Sequence, residues 1–286
     1  MYEPTILLDG LCFPEGPRWH DDRLYFSDLR KNNRVMTVDL EGKAETIVEV
    51  PGSPSGIGWL PDGRMLVVSM EHRRVMRLEA DGTLGVHADL VAIAKGPCND
   101  MVVDRQGRAY VGNFGFDMFA KETLKPTVLA LVHPNGMARS VGQDLMFPNG
   151  CVITADGKTL IVGESAGRRL TAFDIEVDGS LSNQRLWADC AGASPDGICL
   201  DAENGIWIAA PNRGAYIRFV EGGQETDRIT MPEGKQAIAC MLGGPDRRTL
   251  FLCTVEATSE MVMSGSAETK GFIEAVTVPV PGAGLP

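Results

Sequence analysis

Pro148-Asn149-Gly150-Cys151-Val152-Ile153-Thr154-Ala155-Asp156-Gly157-Lys158-Thr159-Leu160-Ile161-Val162 is the stretch that decides how the chain folds. Two short runs rich in β-branched and aliphatic residues flank Asp156-Gly157, a pair that supplies the positive φ of a tight hairpin turn. The same turn and following strand return at intervals of roughly 40 to 50 residues, a period expected of propeller blades. Upstream copies are His20-Asp21-Asp22-Arg23 before Leu24-Tyr25-Phe26, Pro61-Asp62-Gly63-Arg64 before Met65-Leu66-Val67-Val68, and Gln106-Gly107-Arg108 before Ala109-Tyr110-Val111. Downstream copies are Asn204-Gly205 before Ile206-Trp207-Ile208, and Asp246-Arg247-Arg248 before Thr249-Leu250-Phe251-Leu252.

Each unit has room for four strands. Third strands read Arg34-Val35-Met36-Thr37-Val38, Arg74-Val75-Met76-Arg77-Leu78 and Leu170-Thr171-Ala172-Phe173-Asp174; fourth strands read Glu45-Thr46-Ile47-Val48 and Asp227-Arg228-Ile229-Thr230. Helical spacing of apolar residues is not sustained over ten or more positions, so the chain reads as all-β. The sixth unit runs out after its third strand, Phe272-Ile273-Glu274-Ala275-Val276-Thr277-Val278, while Thr5-Ile6-Leu7-Leu8 stands unassigned ahead of the first. The expected fold is therefore a six-bladed β-propeller with four-stranded blades, its last blade closed by the N-terminal strand, as one domain over residues 1–286. The longest interruption, between Asn113 and Lys125, carries Gly115-Phe116-Asp117-Met118-Phe119-Ala120-Lys121 and is expected to form a loop or lid over one end of the channel.

Length alone would favour two domains, since 286 residues exceed the roughly 150 of an average domain; the repeat overrides that expectation. A hydrophobic content of 44% with 23% charged residues is that of an ordinary globular protein and excludes a disordered or collagen-like chain. The net charge of -11 repels nucleic acid and anionic lipid, so neither is an expected partner. No apolar stretch approaches the ~20 residues of a membrane span. The opening Met-Tyr-Glu-Pro-Thr-Ile-Leu-Leu-Asp does not read as a signal peptide, and the seven cysteines lack paired spacing. A cytoplasmic location is the expectation.

The innermost strand of a propeller blade lines the axis, so residues at one register there converge from distant parts of the chain. After a leading proline the units read Pro14-Glu15-Gly16, Pro54-Ser55-Gly56, Pro148-Asn149-Gly150 and Pro195-Asp196-Gly197; the third reads Pro97-Cys98-Asn99-Asp100 and the sixth Gln236-Ala237-Ile238. Taken singly, Pro-Asn-Gly and Pro-Asp-Gly are ordinary turn sequences. Together they bring Glu15, Asn99, Asn149 and Asp196 to one axis, where their charges would repel unless a cation neutralised them. An all-oxygen set suits a hard divalent ion, calcium or magnesium, with manganese or zinc as alternatives.

Phe13-Pro14-Glu15-Gly16-Pro17-Arg18-Trp19 with Leu24-Tyr25-Phe26-Ser27-Asp28, then Asn99-Asp100 with Asp104, Pro148-Asn149-Gly150 and Ser194-Pro195-Asp196-Gly197, resembles the senescence marker protein (regucalcin), gluconolactonase and luciferin-regenerating enzyme family. The resemblance spans essentially the whole chain. It implies a six-bladed propeller with a divalent metal, calcium foremost, on its axis, and hydrolysis of a lactone. It implies Glu15, Asn149 and Asp196 as metal ligands, Asn99 as a substrate contact and Asp196 as the acceptor of a proton from the attacking water. Sugar-lactone members carry an arginine two residues before that asparagine; here the position is Pro97, which leaves room for a less polar ring between apolar walls at Phe114 and Phe116.

Asn113 is a further expected substrate contact, with a plain loop residue as its other reading. Glu164 reads as a solvated blade-top residue or as support for the site. The four histidines show no ligand spacing, and Cys98 has no histidine to activate it. A calcium-holding scaffold without catalysis stays open as the alternative function, as does a non-hydrolytic enzyme of the strictosidine-synthase-like group.

Overall fold

The computed structural model describes residues 2–118 and 120–286; Phe119 of the expected lid lies outside the described residues. Within them the chain forms six four-stranded antiparallel sheets. Blade 1 is β2 (Pro14–His20), β3 (Arg23–Asp28), β4 (Arg34–Val38) and β5 (Ala44–Glu49). Blade 2 is β6 (Pro54–Trp59), β7 (Met65–Ser69), β8 (Arg74–Leu78) and β9 (Leu84–Asp89). Blade 3 is β10 (Cys98–Val103), β11 (Ala109–Asn113), β12 (Thr127–Val132) and β13 (Ala138–Leu145). Blade 4 is β14 (Pro148–Ile153), β15 (Thr159–Glu164), β16 (Arg169–Ile175) and β17 (Leu181–Asp189), and blade 5 is β18 (Ile198–Leu200), β19 (Ile206–Ala210), β20 (Ala215–Phe219) and β21 (Glu225–Thr230). Blade 6 is β22 (Lys235–Gly243), β23 (Thr249–Glu256) and β24 (Lys270–Thr277), completed by β1 (Thr5–Leu11).

The six-bladed propeller and its circular closure are as the repeat predicts. β1 lies antiparallel on β24, with Thr5 opposite Ala275 and Leu11 opposite Gly271. Inner strands β2, β6, β10, β14, β18 and β22 touch in succession, and β22 meets β2 to close the ring. Alternate residues of the middle strands enter the packing between blades, where Phe26, Leu66, Tyr110, Trp207 and Phe251 are fully buried. Among the described residues, helix is confined to α1 (Ser259–Met263), between β23 and β24, and a 3-10 turn at Pro211–Arg213.

Pro14-Glu15-Gly16, Pro54-Ser55-Gly56 and Pro148-Asn149-Gly150 are the first residues of inner strands, not isolated turns. The pairing with the second strand slips just after each: between Glu15 and Arg18, Pro54 and Ile57, and Pro148 and Cys151. The same slip follows Cys98 in β10. Such bulges re-aim a side chain away from the sheet face, here toward the axis. The motif glycine answers a second demand, close approach of neighbouring blades. A Cβ on Gly150 would stand 2.6 Å from both the Asp196 carbonyl oxygen and the Ile198 nitrogen.

At the opposite end of the ring the C-terminal tail ties blades 4 and 5. Ile153 and Leu285 exchange backbone hydrogen bonds of 2.8 Å, and Ala283 N donates to Leu200 O at 2.9 Å. Blade 6 is thus held at both ends of the chain. Deleting residues 2–11 should leave β24 as an unpaired edge, lowering the urea midpoint and promoting self-association seen by light scattering. An unchanged midpoint and a monodisperse sample would show that the closing strand is dispensable.

Candidate functional site

One end of the ring opens into a cavity of about 810 Å3. Its floor takes one side chain from each blade: Glu15, Ser55, Asn99, Asn149, Asp196 and Gln236. Two residues upstream, Phe13, Ser53, Pro97, Phe147 and Ser194 form a second tier. Loops joining second to third strands build the upper wall, with Leu29, Arg30, Met70, Phe114, Ser165 and Pro211 among their contributions.

Asn149 Nδ2 donates to Asp196 Oδ1 at 2.5 Å and to Ser165 Oγ at 3.2 Å, and Ser165 Oγ donates to the Pro195 carbonyl at 2.7 Å. Glu15 Oε2 accepts only the backbone N–H of Gly16, at 2.7 Å. Burial, then the charge of Asp196, then that of Asp100 push the Glu15 carboxyl well above the usual range. Burial pushes Asp196 up to about 7, against the Asn149 hydrogen bond, which pulls it down. Asp100 is raised by burial as well, with Arg18 opposing.

Arg18 is a buried cation whose charge reaches Glu15, and its hydrogen bonds are committed elsewhere. It donates to Asp100 Oδ1 at 2.5 Å, to the Met101 carbonyl at 2.5 Å, to the Ile57 carbonyl at 3.0 Å and to the Pro17 carbonyl at 2.8 Å. Three buried floor atoms have no hydrogen-bond partner: Ser55 Oγ, Asn99 Nδ2 and Asn149 Oδ1. A buried polar atom without a partner costs the full price of its lost hydration, so an unpaired acceptor beside two carboxylates calls for a ligand that supplies positive charge. Among the described residues no group of three or more His, Cys, Asp or Glu side chains is placed to hold a metal ion. The donor set here is two carboxylates and an amide oxygen, the oxygen chemistry of calcium or magnesium. Glu15, Asn149 and Asp196 therefore fit a hard divalent cation.

The structure brings Glu15, Asn99, Asn149 and Asp196 to one floor, but not Asn113. Asn113 Oδ1 accepts from Gly115 N at 3.0 Å and from Thr127 Oγ1 at 2.8 Å, while Nδ2 donates to Val128 O at 2.8 Å. It is buried, does not line the cavity, and fastens the root of the 113–125 loop. Glu164 is not solvated: it is fully buried and accepts from Arg169, Thr171 and Met146 N. Of the expected apolar walls Phe114 lines the cavity, whereas Phe116 stands behind it, edge-on to Phe147 with ring centres 6.1 Å apart. Burial pushes the Cys98 thiol up to about 12, which leaves no thiolate at neutral pH. His20 stacks on Trp59 at the end of β2 away from the cavity.

Sequence reasoning missed Arg30 and Phe147. Phe147 had a signal, since Phe147-Pro148 repeats Phe13-Pro14 and both aromatic rings line the cavity. Arg30 had none. Its guanidinium lies 3.8 Å from the centre of the Phe13 ring and donates to the carbonyls of Met261, Val262 and Ser266, and burial lowers its pKa to about 10.

The SMP-30/gluconolactonase/LRE-like region matches residues 13–256, which contain the whole floor. The chain belongs to this family. A pentonolactonase from Haloferax volcanii is 27% identical over 257 residues, covering 87% of this chain and 84% of that protein. Regucalcin from Danio rerio is 27% identical over 158 residues, covering 54% of this chain and 52% of its own length. Among solved structures, a calcium-binding regucalcin from Agrobacterium tumefaciens superposes with a TM-score of 0.81 at 20% identity, covering 100% of this chain and 97% of that one. At that identity the superposition speaks for the fold alone.

Arg18→Met should destabilise the protein by about 3–5 kcal/mol in urea titration, because it leaves Asp100 buried and unpaired. Pairing it with Asp100→Leu should recover much of that loss. A double variant no better than the single one would mean that the carbonyl bonds of Arg18, rather than the ion pair, hold blades 1 to 3 together.

Proposed function

We propose that this protein is a metal-dependent lactonase, opening a cyclic ester to its hydroxy acid with a divalent cation, calcium in the first place, held by Glu15, Asn149 and Asp196. The observation that carries the reading is the pair of buried carboxylates, Glu15 and Asp196, sharing a cavity floor with the unpartnered Asn149 Oδ1 while Arg18 is spent on Asp100. Membership of a family named for gluconolactonase, and the pentonolactonase among the relatives, support the reaction class. The solved regucalcin, described as calcium-binding, supports the choice of ion.

Bound there, the ion supplies Lewis-acid chemistry, polarising the ester carbonyl and lowering the pKa of water. Asp196 takes a proton from the water whose oxygen attacks the carbonyl carbon. Asn99 Nδ2, a buried donor with no protein partner, points its hydrogen-bonding capacity at the oxygen that gains charge. When the bond from the carbonyl carbon to the ring oxygen breaks, Asp196 delivers its proton to the departing oxygen. The products are a hydroxyl and a carboxylic acid on one opened chain. Ser165 and Asp196 engage Asn149 Nδ2, which leaves Oδ1 without a protein partner.

Protein dialysed against a chelator and then given calcium, magnesium, manganese or zinc singly should regain lactone hydrolysis, followed with a pH indicator, with at least one ion. Asp196→Asn should lower kcat by about 10²- to 10⁴-fold, the range for loss of a general base. Glu15→Gln should raise the ion concentration needed for half activity. If aldonic, aliphatic and aromatic lactones all stay closed with every ion while calcium still raises the thermal midpoint, the protein is a calcium-holding scaffold and the catalytic reading is wrong.

A further inference from the structure

The geometry points to a substrate whose lactone ring carries a bulky apolar substituent, selected by an aromatic wall of Phe147 and Phe114; this rests on the lactonase reading above. The cavity of about 810 Å3 is in the range that holds a drug-sized ligand and far exceeds one lactone ring. Above the polar floor its tiers are largely hydrocarbon: Phe13, Pro97 and Phe147 in the second tier, and Leu29, Met70 and Phe114 in the wall.

Several polar side chains at that height are turned to the protein itself, while Lys31 and Glu71 stand at the exposed rim. Asn212 accepts from Ser194 N at 2.8 Å and donates to Gly192 O at 2.9 Å. Ser53 Oγ lies between Asn33 and Glu71, at 3.3 and 3.1 Å, and Arg30 is spent on three backbone carbonyls. Hydroxyl groups around a sugar ring would face these surfaces with few partners, whereas alkyl or aryl groups would displace water from them.

Phe147 is held in place at a conformational cost. Its φ is +60°, in the left-handed region that a bulky side chain rarely adopts. The buried carboxylate of Glu164 accepts from Met146 N at 2.7 Å, and Ser165 N donates to Phe147 O at 3.0 Å, so the turn is clamped on both sides of the residue. The ring then stands edge-on to Phe114, with centres 4.4 Å apart at 70°. Backbone strain over-determined by its surroundings, at a residue facing a cavity, is the pattern of a side chain kept for binding. Glu164 is the positioning residue of this wall.

The test is a four-substrate comparison by the pH-indicator assay, with the ion that gives activity: D-glucono-δ-lactone, δ-valerolactone, δ-dodecalactone and dihydrocoumarin. δ-Dodecalactone and dihydrocoumarin should show kcat/KM at least about tenfold above gluconolactone, the scale of discrimination in an apolar pocket. Phe147→Asn keeps a residue tolerant of positive φ while removing the ring. It should cut the preference for δ-dodecalactone over δ-valerolactone about tenfold, mainly through KM. Phe114→Leu gives a second reading of the same wall should the first variant fold poorly, as judged by its thermal midpoint. Gluconolactone opened as well as or better than the apolar lactones, or a preference unmoved in both variants, would overturn the inference and leave the lactonase reading standing. Failure to open any of the four with any ion would remove both.

Discussion

Arg18 is a buried cation against the acidic hub, and the meeting of blades 1 to 3 depends on where it is spent. From β2 in blade 1 it reaches the Ile57 carbonyl in blade 2 and both Asp100 and the Met101 carbonyl in blade 3. A propeller blade makes most of its hydrogen bonds within itself, so bonds crossing between blades near the axis set how the wedges meet. Because Arg18 is hydrogen-bonded to Asp100 and to backbone carbonyls, it opposes the burial of Glu15 only at a distance, and the Glu15 carboxyl stays well above the usual range. The same residue that knits three blades therefore fixes the charge imbalance from which the proposed cation site follows.

Above that hub the architecture separates two tasks. Bulges at the start of the inner strands of blades 1 to 4 turn one oxygen-bearing side chain each toward the axis, and a second tier comes from residues two positions earlier. The floor is polar and unsatisfied; the tiers above it are mostly apolar or satisfied internally. Chemistry at the floor and selection in the wall come from adjacent positions of the same strands, so the wall can vary without moving the floor.

The extent to which this could be read from the chain follows the range of the interactions. Asp156-Gly157 and its copies announce hairpins because turn chemistry is local, and six copies with an orphan first strand imply circular closure. Glu15, Asn149 and Asp196 were legible because repetition placed them at one register. The two readings of Asn113 stayed open in the sequence because its amide is consumed by Gly115, Thr127 and Val128, partners that only the folded loop brings near. Glu164 stayed open between solvated and supporting for a similar reason: a carboxylate beside a blade top looks solvated until Arg169, Thr171 and the backbone of Met146 are seen to enclose it.

By itself the amino-acid sequence determined the number of blades, the order of their strands and that Glu15, Asn99, Asn149 and Asp196 converge on the axis, since turns, alternation and repeat register are encoded within a few residues of one another; that blade 6 offers Gln236 rather than Ala237 came from the fold. Tertiary structure alone decided which of those side chains lack partners, where Arg18 spends its charge, and that Phe147 rather than Phe116 forms the wall. Those outcomes depend on groups from different blades competing for the same hydrogen bonds and the same space, a competition that exists only once the ring has closed.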